Sequence, residues 1–340
     1  MKKSIYYVII SLILMLTMSA CSSSGSDKTE STKAAESAES KVSLTAQKMT
    51  VGSMKGPTTM GIINMMYDEP LKDISGETSF NIYASAEELT TAIVKKEVDI
   101  ALVPANLASV LYKKMEKGIT VIDINTLGVL YALSYDESIK DVKGLADKTI
   151  YMTGMGSVPE YSFRYILKKN GIDDSKVDIH FCSESSEVIS SLAADKEAVG
   201  ILPQPFAQSA VIKDSELKFA LDLNEEWEKV SGGNGMITGV TIVRNEYMEK
   251  YPGIVELFIK AHKESVAFSE KNLKTAAERI EEKDILKAAV VEKAYDKCHI
   301  VCTDGTKMKE MLSSYLKELF DLEPSSVGGE LPDDGFYYVN

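Results

Sequence analysis

A chain of 340 residues holds one large or two ordinary domains, and its 44% apolar and 26% charged content is a globular mixture with material for a substantial core. The formal charge of −13 works against nucleic acid and anionic lipid surfaces as partners. Both are bound through clustered Lys and Arg, and no such cluster stands out.

The N-terminus comes first. Lys2 and Lys3 precede an apolar run from Ile5 to Met18, then Ser19 and Ala20 stand before Cys21, which reads as a secretory signal over residues 1–20. The run is shorter than the ~20 residues a helix needs to span a bilayer. "LTMSAC" resembles the lipobox of bacterial lipoprotein precursors, with Met18 where Leu is usual. That resemblance implies lipid attachment at Cys21. Residues 21–46 are Ser, Glu, Lys and Ala with almost no large apolar side chain, too little to offset the entropy of ordering. They are expected to form a flexible tether, leaving a globular body on the extracytoplasmic face of the membrane.

Along the body, strands and helices alternate. Thr50 to Met54 reads as a strand, Gly56 and Pro57 as a turn, Thr58 to Tyr67 as a helix and "SFNIYA" as the next strand. Ser85 with Glu88 makes a capping box ahead of a helix whose Leu89, Ala92 and Ile93 share one face. "VDIALV" follows as a continuous apolar run, suited to a strand covered on both faces. The same plan recurs one hundred residues later: Lys148 over Lys48, Ile150 over Thr50, Gly156 over Gly56, Ser185 over Ser85, and Pro203 near the place of Pro104. A period this long is domain-sized. Each copy predicts one α/β lobe with a mainly parallel sheet. Two β-rich stretches, "TVIDINTLGVLYALS" and "GMITGVTIVRNEY", are placed to cross between lobes. A long helix opened by Pro252, with Ile254, Leu257, Phe258 and Ala261 on one face, begins a helical C-terminal third assigned mostly to the first lobe. Lobe 1 is thus expected over 47–130 and 242–340, and lobe 2 over 131–241.

With Cys21 lipidated, Cys182, Cys298 and Cys302 allow at most one disulfide. "CHIVC" invites a metal reading, but a zinc site wants further ligands at characteristic spacing, and His180 and His262 sit in unrelated segments. The cysteines read as small core side chains, with no metal and no cofactor. No HExxH, GxSxG or GxxxxGK[ST] occurs, and "GMGSVP" lacks the last glycine of a dinucleotide turn. The chain is therefore not expected to be an enzyme.

In open parallel sheets, ligands bind beyond the carboxyl ends of the strands. The matching turns "SMKGPTT" and "TGMGSVPE" would face each other across one cleft. The body resembles the substrate-binding lipoproteins of ABC importers, in the nitrate, sulfonate and taurine branch that also contains thiamine-precursor binders. The residues that carry this are "GSMKGPTTMG", "EVDIALVPANLASVLY", "NTLGVLYAL", "TIYMTGMGSVPEY", "ILPQPFA", "DLNEEWEKV" and "SVGGELPDDGFYY", in order along the chain. The resemblance implies a type II periplasmic-binding-protein fold: two doubly wound α/β lobes, joined by two crossing segments, that close on a small organic molecule (a sulfonate, a nitrate-like anion or a pyrimidine- or thiamine-precursor-like heterocycle) and dock on a permease with its ATPase. A monomer held by its lipid on a Gram-positive cell membrane is the expected state. A cofactor-biosynthesis enzyme on the same lobed fold and a sensing subunit of a membrane receptor are the alternatives.

Candidate ligand contacts follow from the turns and strand ends. Ser53, Lys55, Thr58 and Thr59 come from the first turn, with helix capping as the competing role of the threonines. Thr153, Ser157, Glu160 and Tyr161 come from the second, where Ser157 and Glu160 also fit a capping box. Ser85 precedes a helix, and Asn106 and Gln204 follow the two equivalent strand ends, where turn chemistry competes. Phe206 and Tyr161 are placed to stack on a flat ligand, against a core role. Trp227 reads as the buried face of a helix. Lys55 and Arg164 are the only basic residues near the turns, which favours a neutral or singly charged aromatic ligand over a doubly charged anion.

Overall fold

The computed structural model describes residues 48–68, 71, 77–233 and 235–339. The secretory segment, Cys21 and the tether lie outside the described residues. No helix among the described residues is long and apolar enough to cross a membrane.

Among the described residues eleven strands run in chain order: β1 Lys48–Met54, β2 Glu77–Tyr83, β3 Ile100–Pro104, β4 Ile119–Leu127, β5 Leu130–Ser134, β6 Thr149–Met152, β7 Asp178–Phe181, β8 Val199–Pro203, β9 Lys218–Asp222, β10 Ile237–Arg244 and β11 Ile300–Asp304. They form a six-stranded sheet in the order β11-β4-β10-β3-β1-β2 and a five-stranded sheet in the order β7-β6-β8-β5-β9. The repeat seen in sequence is a repeat of topology. In the first sheet β1 pairs in parallel with β2 and β3, with Val51 opposite Ile100; in the second β6 pairs in parallel with β7 and β8, with Ile150 opposite Val199. Both sheets are mixed, because β10 runs antiparallel to β3 and β4 and β5 runs antiparallel to β8 and β9. Those two strands are the first reached after each passage between sheets. Central strands such as β3 and β8 are buried along nearly their whole length, as expected where helices cover both faces.

The chain passes from the first sheet to the second through Gly128 and Val129, and returns ahead of β10, which lies whole in the first sheet. A boundary at 241/242 therefore cuts through a strand. The helix read over 58–67 is two short helices, Pro57–Gly61 and Met65–Asp68. Between them, Asn64 spends its amide on the Ser265 carbonyl (2.8 Å) and Ser269 Oγ (2.8 Å), a tertiary anchor that local periodicity does not carry.

Apolar packing is continuous between the sheets. One cluster of buried side chains takes in Val103 and Ile124 of the first sheet and Ile150 and Ile201 of the second, with Leu89 and Phe163 from the Ala86–Val94 and Val158–Lys169 helices. The Gly305–Leu322 helix packs on β4 and β11 and also on the Val158–Lys169 helix beyond β6. The C-terminal third also reaches the second sheet, where the Tyr131 hydroxyl on β5 donates to the Lys297 carbonyl (3.2 Å).

Cys182, Cys298 and Cys302 are free thiols. Cys298 is fully buried among Ile63, Val291 and Tyr295. Burial, with some help from Asp296 and against Lys297, pushes its pKa up to about 12, from about 8.5 in an unfolded chain. The sign follows from linkage: the neutral thiol is favoured by folding, so this stabilisation is complete below about pH 8.5 and declines as pH rises towards about 12. Urea midpoints measured at pH 8 and at about pH 10 are expected to fall with pH, and to fall less in Cys298→Ala. An equal fall in both proteins would remove Cys298 as the cause.

Candidate ligand-binding cleft

Each sheet ends its parallel strands in a polar turn. After β1, Thr58 Oγ1 donates to the Met54 carbonyl (3.2 Å), and the Thr59 hydroxyl bridges Ser53 Oγ (2.7 Å) and that same carbonyl. Ser53 and Thr59 are buried. These three side chains are brought together, and their hydrogen bonds fix the turn. Lys55 reaches away to the Asp284 carbonyl (2.9 Å) and carboxylate (3.5 Å).

The turn after β6 is built differently. Ser157 makes no capping bond; its Oγ donates to the Gly154 carbonyl at 2.6 Å. Glu160 accepts from the Gly156 N–H (2.7 Å) and from Arg164 Nε (2.8 Å), so one carboxylate both closes the turn and neutralises the nearby guanidinium. Tyr161 packs half-buried against the core, and burial, with the Glu160 and Glu323 charges, pushes its phenol up. Thr153 is half-buried at the strand end. Met155, at the tip, is 73% exposed.

Ser85 caps the Ala86–Val94 helix, accepting from the Glu88 N–H at 3.3 Å, while the Glu88 carboxylate accepts from Ala84 N at 3.2 Å. The reciprocal bond of the predicted capping box has moved one residue outward. Asn106 and Gln204 occupy equivalent places with different surroundings. Asn106 Nδ2 donates to the Ser326 carbonyl (3.1 Å), tying the Ala105–Lys114 helix to the C-terminal turn. Gln204 is only 2% exposed and lies at the end of β8. Its backbone N–H donates to the Val129 carbonyl (2.8 Å) in the crossing, and its Oε1 accepts from Gln208 N (3.2 Å). That second bond fixes which end of the amide is nitrogen. Gln204 Nε2 has no partner among the described residues. The Gln204–Pro205 peptide is cis, and Phe206, next along, is 50% exposed.

Asn224 belongs to no pattern that marks it in the sequence. Its Oδ1 accepts from Gly128 N (3.3 Å) and Met236 N (3.1 Å), so one side chain holds both passages between the sheets, while Nδ2 donates to Glu228 Oε1 (3.0 Å). Gly128 has to be glycine here, since a Cβ would stand 2.6 Å from the Asn224 Cβ and Oδ1. The only signal in the sequence is the Asp222 cap that starts this helix and turns Asn224 inward.

A sequence family described as "Menaquinone biosynthesis" matches residues 174–319. No curated protein matches the chain. Among solved structures, the chain is similar to an ABC transporter protein from Parabacteroides distasonis, with a TM-score of 0.73 and 24% identity over 86% of this chain and 99% of that one. It is also similar to the periplasmic aliphatic sulphonate binding protein SsuA from Escherichia coli (TM-score 0.71, 10% identity, 86% and 92% covered). The alkanesulfonate-binding protein SsuA from Xanthomonas axonopodis pv. citri, bound to MOPS, gives a TM-score of 0.62 at 12% identity, with 85% and 96% covered. At these identities the likeness is one of fold: the chain has the two-lobed, doubly wound periplasmic-binding-protein architecture that its motifs predicted.

Proposed function

We propose that the chain is the extracytoplasmic solute-binding component of an ABC importer, anchored through Cys21, acting as a monomer and delivering a small neutral heterocycle to a permease and its ATPase. The observation that carries this reading is Gln204 Nε2, a buried donor beside the crossing without a partner among the described residues. Buried polar groups in native proteins are nearly always paired, and a ligand acceptor between the lobes is the partner this amide lacks. Charge favours a neutral ligand, because Lys55 is engaged by Asp284 and Arg164 by Glu160. A sulfonate would meet no free cation from either residue. Met155 and Phe206, exposed at the ends of the paired strands β6 and β8, offer apolar contact to a flat ring. The lobes divide at Gly128–Val129 and ahead of β10, and they close on the ligand by bending at these passages.

Native mass spectrometry of the full chain, purified from its own cells, tests this by identifying any released molecule. A stoichiometric heterocycle supports the reading; a sulfonate overturns the charge argument. With the identified ligand, Gln204→Leu is expected to weaken binding about 10- to 100-fold, the loss of one buried hydrogen bond to a ligand. Unchanged affinity would exclude Gln204 as a contact. The match of residues 174–319 to a biosynthetic family favours a second reading, an enzyme of cofactor synthesis on this fold. Chemical conversion of the bound molecule on incubation would select it.

A further inference from the structure

The fold brings together three residues that lie far apart in sequence. Asp123 on β4 and His262 on the Ile254–Lys271 helix are fully buried, and Cys302 sits on β11 beside them. One donor atom from each lies within 4.8 Å of the other two. His262 Nδ1 is 3.2 Å from Asp123 Oδ2, Thr241 Oγ1 donates to Asp123 Oδ1 at 2.7 Å, and the Cys302 thiol, also hydrogen-bonded to Asp123, lies 3.8 Å from the Ile259 carbonyl. His262 Nε2 is buried with no partner among the described residues, close enough to Gly61 that a Cβ there would stand 3.2 Å away.

We infer that Asp123, His262 and Cys302 form a buried site for a zinc-class divalent cation. A structural His–Asp pair accounts for Nδ1 and the carboxylate, but not for a thiol set within 4.8 Å of both or for an imidazole whose Nε2 is left unpaired among the described residues. One carboxylate, one thiolate and one neutral imidazole around a divalent ion sum to zero charge, the condition under which charges tolerate burial. Mixed O, N and S donors suit zinc or cobalt, whereas magnesium and calcium call for oxygen cages. Bonds of about 2.0–2.3 Å place tetrahedral donors roughly 3.5 Å apart, so about 1 Å of convergence brings these three to bonding distance and leaves the fourth tetrahedral position to an exogenous ligand such as water. Binding displaces the Cys302 thiol proton to solvent, and affinity therefore rises with pH. Thr241, bonded to Asp123, orients the carboxylate.

The test uses the full chain, reduced, stripped with chelator and titrated with Co²⁺. One equivalent is expected to bind, with a thiolate-to-cobalt charge-transfer band and tetrahedral d–d absorption that Zn²⁺ abolishes. Cys302→Ser removes the charge-transfer band. Cys182→Ser keeps it, as does His180→Gln, which removes the surface pair His180 and Asp178 as a competing site. No thiolate band in the unaltered chain, or one that persists in Cys302→Ser, overturns the proposal. If Cys302→Ser does not fold, alkylation of Cys302 in the unaltered chain decides: Zn²⁺ is expected to slow it at least tenfold, and an unchanged rate refutes the site.

Discussion

Trp227→Ala is expected to remove about 3–5 kcal/mol of stability, the usual cost of truncating a large aromatic in a packed core. Trp227, the only tryptophan in the chain, is 1% exposed. Its ring lies 4.1 Å from that of Tyr165 and 5.2 Å from that of Tyr315, centroid to centroid. Tyr165 belongs to the Val158–Lys169 helix of the second lobe, and Tyr315 to the Gly305–Leu322 helix that packs on the first sheet. The cavity would open where the lobes meet, and neither aromatic neighbour can fill it without leaving the other. Against a total stability of ~5–15 kcal/mol, such a loss is a large fraction. Urea denaturation followed by far-ultraviolet circular dichroism measures it without relying on the missing fluorophore. Trp227→Phe, which keeps an aromatic face, is expected to lose less than half as much. A loss below 1 kcal/mol for alanine would mean that this junction relaxes and does not hold the lobes.

Buried helices and strands were legible because their patterns are local. β3 and β8 read as unbroken apolar runs, and the hundred-residue offset announced two units whose strands pair in the same order. What failed to show was everything decided by distant partners. β10 is as apolar as any buried strand, so its sequence does not say to which sheet it belongs. Asn106 and Gln204 look equivalent beside their prolines, yet a carbonyl 220 residues away takes the Asn106 amide and leaves Gln204 alone with a free donor. Arg164 and Glu160, four apart on a helix, could be paired on paper; Lys55 and Asp284 could not. His262 and Cys302 looked scattered for the same reason. Chemistry in this chain is assembled by topology, and only its scaffold is written in spacing.

Asn224→Ala is the sharper probe of the passages between lobes. The amide oxygen accepts from Gly128 N and Met236 N, and both N–H groups lie in buried surroundings. Alanine leaves two donors unpaired at roughly 1–3 kcal/mol each, so a loss of about 2–6 kcal/mol is expected. The consequence is not confined to stability. With the shared acceptor gone, the two passages no longer move as one, and small-angle scattering of the ligand-free protein should show a broader distribution of lobe separations. Asn224→Asp separates geometry from bonding: it keeps the acceptor but sets a second carboxylate against Glu228, which now receives the Nδ2–H bond, and it should retain more stability than alanine. Gly128→Ala attacks the same contact from the other side, since its Cβ would collide with Asn224 and with Met236 Cε at 2.7 Å, an overpacking worth about 1–3 kcal/mol. If one contact underlies both effects, the double variant Gly128→Ala with Asn224→Ala is less destabilised than the sum of the singles. Strict additivity, or an alanine variant with unchanged stability and scattering, would show that the passages are held by the surrounding apolar packing and not by this side chain.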